Sequence, residues 1–243
     1  MKKEQKIAGD GILTLDSGWS FSGDVVANFD KHINKSVPLY EMGHDLVCDL
    51  SNFFVKENSI IYEIGCSTGS LTKKICLSNP NKKNARYIGF DIESDMIIHA
   101  NKFLDKSLSK KVSFVNKDIV NAELEKSDLI VCYYTLQFIP PAVRQIVMDK
   151  IYKSLNWGGA LIMFEKVRFP DARFQDIIST TYMDYKLKQG YSESDIVNKT
   201  MSLKGILEPF STLGNIDLMK RSGFADIASV QKFLCFEGFL AIK

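Results

Sequence analysis

Apolar positions along the chain change period several times, and each change predicts an element. From about Ser22, Val25, Val26, Phe29 and Ile33 recur at helical spacing. Pro38 interrupts that run, and Leu46, Val47, Leu50, Phe53 and Phe54 then mark one face of a second helix. The central part alternates. Short apolar runs at 60–64, 86–91, 112–116, 129–133 and 160–166 read as strands, with helical patterns between them, including 95–104 and 142–154. Alternation of apolar strands with helices predicts a mostly parallel sheet covered on both faces.

Both ends and one internal stretch break this rhythm. Residues 1–20 read as a loosely ordered arm ending in "SGWSF". The stretch 167–212 is helical in pattern and has no Pro/Gly/Ser linker to isolate it, so it reads as an insertion over the strand ends. The C-terminal "FADIASVQKFLCFEGFLAIK" holds two strand-like runs with no helix between them, which predicts an antiparallel pair at one end of the sheet. The expected organisation is one domain over 1–243. An arm and helices occupy 1–55, a core 56–166, the insertion 167–212 and the last strands 213–243.

Composition narrows the class. With 243 residues, 45% hydrophobic and 25% charged, the chain can bury a sizeable core. A net charge of +2 without a long basic run gives no reason to expect direct nucleic-acid binding. No apolar run approaches the ~20 residues of a membrane span, and no apolar segment follows the basic N-terminus. Five scattered cysteines without a C-x-x-C pair point to reduced thiols in the cytoplasm, and neither they nor His32, His44 and His99 have metal-ligand spacing. The histidines read as surface or satisfied structural residues.

The chemistry starts at "YEIGCSTGSLT", residues 62–72. No lysine follows Gly69 as a phosphate-binding P-loop requires. Ser67 stands where a dinucleotide fingerprint needs its second glycine. What remains is Glu63-x-Gly65-Cys66-Ser67-x-Gly69. Such a turn lets the backbone approach a ligand that carries an ammonium and a carboxylate rather than phosphates. Glu63 could order the loop or meet the ammonium through water. Asp91 ends the next strand, where a carboxylate can accept both ribose hydroxyls at ~1.5–3 kcal/mol each. The competing reading of Asp91 is a helix N-cap, a role that Ser94 already suits. Asp118 ends the third strand, where it could accept from an adenine amino group sandwiched by Ile92 and Ile119. Three acidic strand ends behind this turn are the pattern of a class I S-adenosylmethionine site.

Farther along come "YYTLQFIPP" and "LNWGGALIMFEK". With "SVPLY", "IGCSTG" and "GYSESDIVNK", these make the chain resemble the carboxy-S-adenosyl-L-methionine synthases, from about Trp19 to Lys243. The resemblance implies a Rossmann-like α/β methyltransferase fold: a seven-stranded, mostly parallel sheet with an antiparallel C-terminal strand. It also implies a homodimer through the helical insertion, with the cofactor held by Tyr40, the Gly65–Ser67 turn, Asp91–Ile92 and Asp118–Ile119. That family carboxylates the cofactor's methyl group with prephenate as donor. It meets the new carboxylate with an asparagine and with an arginine from the partner subunit. Those positions hold Tyr133 and Thr200 here. Lys199 is adjacent, but neighbouring helix positions point different ways; Arg168 or Arg173 are the other candidate cations.

The departures put a small-molecule methyltransferase using S-adenosylmethionine first. A carboxy-S-adenosyl-L-methionine synthase, handling the carboxylated derivative, comes second, and a non-catalytic cofactor-binding protein third. Tyr133 and Tyr134 would line the acceptor pocket or belong to the core. Glu165 and Lys166 would orient an acceptor or form an ion pair. No catalytic base can be named from the sequence.

Overall fold

A computed structural model describes residues 6–243. A two-stranded hairpin, β1 (Lys6–Ile7) and β2 (Leu13–Thr14), leads to α1 (Asp24–Ser36) and α2 (Tyr40–Phe54). The alternating core follows: β3 (Ile60–Ile64), α3 (Ser70–Ser78), β4 (Arg86–Asp91), α4 (Ser94–Lys102), β5 (Val112–Asn116), β6 (Ser127–Tyr133), α5 (Pro141–Ser154) and β7 (Leu155–Lys166). Then come α6 (Ala172–Lys188), α7 (Glu193–Ser202), α8 (Thr212–Ser222), β8 (Asp226–Phe233) and β9 (Phe236–Ile242). Among the described residues no helix is long and apolar enough to cross a membrane.

The sheet is seven-stranded, in the order β5-β4-β3-β6-β7-β9-β8. Strands β3 to β7 pair in parallel and β9 runs antiparallel to both neighbours, as the change of pattern near the C-terminus predicts. Alternate residues of each central strand enter two separate cores. Ile61, Val131, Ile162 and Phe164 pack with Val47, Leu71 and Ile75 of α2 and α3. Ile64, Ile130, Cys132, Leu161 and Met163 pack with Val147, Met148 and Ile151 of α5 and Leu218 of α8. Burial on both faces is why these strands read as continuous apolar runs.

Three expectations need correction. The described part of the arm is packed, not loose, while residues 1–5 lie outside the described residues. Ala8 and Ile12 are fully buried with Trp19, Val25 and Phe29, and the Ser17 and Trp19 N–H groups donate to Met201 and Ser202 of α7. Second, α8 precedes the last two strands; its short apolar face, Leu218 and Met219, is easily missed in a polar segment. Third, Ser94 is not an N-cap. Helix α4 starts with Ser94 itself, and Glu93 is the cap residue.

The insertion has its own start signals. Asp171 accepts from the Arg173 and Phe174 N–H groups at the head of α6. Ser192 and Asp195 form a reciprocal capping box on α7.

Two glutamates sit inside the sheet. Glu63 of β3 bonds the Thr72 hydroxyl of α3, and Glu165 of β7 accepts from the Leu136 N–H at 2.8 Å. Burial pushes both carboxyls up to about 8, so both are protonated at neutral pH. Their folded pKa lies above the unfolded one, so the folded state keeps protons that the unfolded state loses. Stability therefore falls as pH rises through this window, by up to about 1.4 kcal/mol per unit for each group. Buried His32 and His44, held near 4, act in the opposite sense only below their ordinary 6.5. Between pH 6.5 and 8 these two carboxyls should thus contribute a drop in the wild-type melting temperature, opposed by the depressed Lys186 and Lys199. Glu63→Gln and Glu165→Gln, which keep the accepting oxygen, should each flatten that drop. An equal slope in all three proteins would mean that these carboxyls ionise within the fold.

Candidate functional site

The chain runs from β3 outward through β4 to β5, then returns to place β6 on the other side of β3. At such a reversal the turns after adjacent strands diverge and leave a crevice outside the carboxyl ends. A cavity of about 1210 Å³ opens there. That exceeds the ~300–1,000 Å³ of an ordinary small-molecule pocket, and its two sides differ in charge.

The first side is built from the turns after β3, β4 and β5. Gly65 has φ +75°, and a Cβ there would come within 2.4 Å of Thr135, so only glycine fits the turn. The Gly65 and Cys66 N–H groups both donate to the Phe90 carbonyl, at 2.7 and 2.9 Å. Asp91 joins two turns: its carboxylate accepts from Ser67 N–H at 2.8 Å and from Glu93 N–H at 2.9 Å. Burial raises its pKa, opposed by these backbone donors. Each carboxylate oxygen retains a lone pair for a further donor. Asn116 holds the Asp91 and Ile92 carbonyls at 3.0 and 2.8 Å, leaving the Ile92 side chain 66% exposed at the cavity wall. Asp118 accepts from the Val120 N–H, and Ile119 lies beside it.

Gly65, Ser67, Asp91, Ile92, Asp118, Ile119 and Tyr133 therefore share one cavity wall. Tyr40, Glu63, Cys66 and Gly69 stand behind it. Glu63 is turned toward α3, which matches its loop-ordering role rather than contact with an ammonium. Cys66 is buried, and Gly69, with φ +73°, lies beneath the Phe114 ring. Tyr40 is covered by Tyr133 and Tyr134, and its carbonyl accepts from the Tyr133 hydroxyl at 2.6 Å. Leu39 of "SVPLY", just before α2, takes a left-handed φ of 58°.

The second side lies against the insertion. Glu165 and Lys166 are not an ion pair, because successive strand residues face opposite ways. Lys166 instead lies over the Tyr182 ring, 4.8 Å from its centroid, and Lys186 of α6 lies over the same ring at 4.5 Å. Lys199 of α7 donates to His32 Nε2 at 2.5 Å and to Ser36 Oγ at 2.8 Å. All three lysines line the cavity, as does the exposed Arg168. Among the described residues none of these four forms an ion pair. Burial and then mutual repulsion depress the lysines: Lys186 falls to about 8 and Lys199 well below its ordinary value. Arg173 points elsewhere, over Phe174, and the Thr200 hydroxyl is spent on the Ile196 carbonyl.

The sequence reading missed Lys186, took His32 for a surface or satisfied structural residue and set Lys199 aside. No local spacing joins residues 32, 166, 186 and 199. Only folding the insertion back over β7 and α1 brings them together.

Residues 62–161 match the family described as a methyltransferase domain. Among the relatives, the carboxy-S-adenosyl-L-methionine synthase of Staphylococcus epidermidis is 34% identical, over 93% of this chain and 97% of its own. That of Campylobacter lari is 35% identical, over 94% and 96%. Among solved structures, human N-acetylserotonin methyltransferase in complex with SAM superposes with a TM-score of 0.58 at 19% identity, over 84% of this chain and 52% of that one. The structural likeness shows the methyltransferase fold; the near full-length sequence identity goes further, and the chain belongs to the carboxy-S-adenosyl-L-methionine synthase family.

Proposed function

We propose that this enzyme carboxylates the methyl group of S-adenosylmethionine, forming carboxy-S-adenosyl-L-methionine. The observation that carries this reading is the two-sided cavity: acidic strand ends on one side, unpaired lysines on the other, with room for two molecules. It reverses the order drawn from the sequence, where Tyr133 and Thr200 spoke against a bound carboxylate. Cations contributed elsewhere in the fold remove that objection.

When bound, S-adenosylmethionine supplies a sulfonium that makes its methyl C–H bonds acidic. Asp91 would hold the ribose hydroxyls with its remaining lone pairs, and Asp118 the adenine amino group. Ile92 and Ile119 would grip the ring, and the Gly65–Ser67 turn would pass beneath the methionine portion. With prephenate as donor the conversion balances. Its ring carboxyl becomes the new carboxylate, and its ring hydroxyl leaves as hydroxide to match the methyl proton. An aromatic pyruvate remains. The lysines neutralise carboxylates throughout. Positioning of this kind can supply ~7–11 kcal/mol of a barrier.

The same reading places the enzyme in the cytoplasm, which suits five free, buried cysteines. It also makes the protein a homodimer, for which Phe174, Ile177 and Met183 supply exposed apolar surface on α6. A methyltransferase acting on an anionic small molecule is the second reading. It draws on the Tyr133 hydroxyl, which is committed to Tyr40 rather than free for a ligand carboxylate.

Asp91→Ala should weaken S-adenosylmethionine binding at least tenfold, because each charged hydrogen bond lost is worth about 1.5–3 kcal/mol. Asp118→Ala, which loses one adenine contact, should weaken it less. Calorimetry showing wild-type affinity for Asp91→Ala would remove Asp91 from the ribose. Incubation with S-adenosylmethionine and prephenate should yield a cofactor heavier by one carbon dioxide in mass spectra. Unchanged cofactor together with a methylated anionic acceptor would favour the second reading.

A further inference from the structure

The turn after β5 carries Asp118 and Ile119, the residues set against the adenine in the reading above. β5 lies at the edge of the sheet, paired with β4, so the turn has little neighbouring backbone to lean on. Backbone carbonyls taken out of water need partners. The Asp118 carbonyl finds two inside the turn, accepting from the Asn121 and Ala122 N–H groups at 3.1 and 2.9 Å. The carbonyls of Ile119, Val120 and Ala122 are met from outside. Lys150 of α5 donates to all three, at 2.9, 2.6 and 2.7 Å.

An ammonium has three protons and no acceptor, so this one turn saturates Lys150. Among the described residues Lys150 forms no ion pair. Burial lowers its pKa, and the nearby Asp118 charge opposes that. The helix that carries it is firmly seated: Val147, Met148 and Ile151 are fully buried, and Ile119 and Ala122 of the turn enter the same core. The clamp also fixes the direction of Asp118. Its Oδ1 accepts from the Val120 N–H at 2.9 Å and its Oδ2 from the Asn121 side chain at 3.2 Å. Both donors belong to the clamped turn, so a shift of the turn carries the carboxylate with it. Earlier on α5, Arg144 braces a different loop, donating to the Ile139 and Gln137 carbonyls after β6 at 2.7 and 3.1 Å.

We propose that Lys150 is a positioning residue that makes the cavity selective for an amino-bearing base. By clamping residues 118–122 it holds the Asp118 carboxylate where an adenine amino group can donate and a keto oxygen at the same place is refused. This role rests on the reading of Asp118 as the adenine partner.

The chemistry of the choice is simple. An amino group gives the carboxylate a charged hydrogen bond, whereas a keto oxygen sets two acceptors face to face and leaves both unpaired. Selectivity of that kind demands placement to within about 0.5 Å. A turn at the edge of a sheet reaches that precision only with outside support, and Lys150 supplies it from a packed helix.

The test is calorimetry on the full chain with S-adenosylhomocysteine and with its deaminated analogue, S-inosylhomocysteine. Wild-type protein should prefer the adenine form by about tenfold or more. Lys150→Met, which keeps an unbranched side chain without the ammonium, should weaken S-adenosylhomocysteine about fivefold and bring the two affinities to within about threefold. Arg144→Met removes a buried cation from the same helix and should keep the wild-type ratio, which a general loosening of α5 would not. In an Asp118→Ala background, Lys150→Met should change the ratio less than about twofold, because its effect passes through that carboxylate. A wild-type ratio in Lys150→Met, beside a lost one in Asp118→Ala, overturns the role of Lys150 alone. Equal loss in Lys150→Met and Arg144→Met overturns it too. No preference in wild type overturns the reading of Asp118, and this proposal with it. Should Lys150→Met not fold, Lys150→Gln takes its place; its ratio should fall about threefold, and an unchanged ratio overturns the proposal.

Discussion

The Asp91 carboxylate is the interaction on which the site depends, because it ties the turn after β3 to the turn after β4 by accepting one N–H from each. Strands buried on both faces leave no place for polar function except their ends. At those ends the chain must turn sharply, and the freed backbone donors need acceptors. Asp91 provides two of these acceptors at once. Gly65 allows the approach, and Asn116 ties the neighbouring carbonyls. The carboxylate thereby organises the loops and keeps lone pairs free for a further donor.

The acidic side of the cavity was legible because its signals are local. The strands at 60–64, 86–91 and 112–116 have the bounds that the apolar runs predict, and the acidic residues fall at or just past their ends. Each depends on a period of two and a few adjacent residues. The lysine side was illegible for the opposite reason. Lys199 gains its place from His32, which is 167 residues away in sequence, and from an arm that the sequence suggested was loose. The ion pair expected of Glu165 and Lys166 fails for a local reason, the alternation of side chains along a strand. Adjacent in sequence, they serve opposite faces of β7: one organises the loop after β6 and the other faces the insertion.

The position-by-position departures at Tyr133 and Thr200 were real, but the inference from them was too local. An ammonium reaching the cavity from the next residue along α7, held by α1, can neutralise the same ligand charge without occupying the same position. Tyr133 meanwhile joins an aromatic floor with Tyr40, Tyr134 and Phe164, whose ring centroids lie 4.8–5.1 Å from its own. Charge balance over the whole cavity, not identity at one site, decides what ligand it can hold.

The central claim is that a single cavity orients its cofactor from an acidic side toward a cationic one. A crystal structure of the protein with S-adenosylhomocysteine and malonate tests it most directly. The account predicts ribose hydroxyls on Asp91, adenine between Ile92 and Ile119, and the sulfur directed toward a malonate held by Lys166, Lys186 and Lys199. A sulfur facing away from the lysines, or lysines engaged only with the methionine carboxylate, would contradict it.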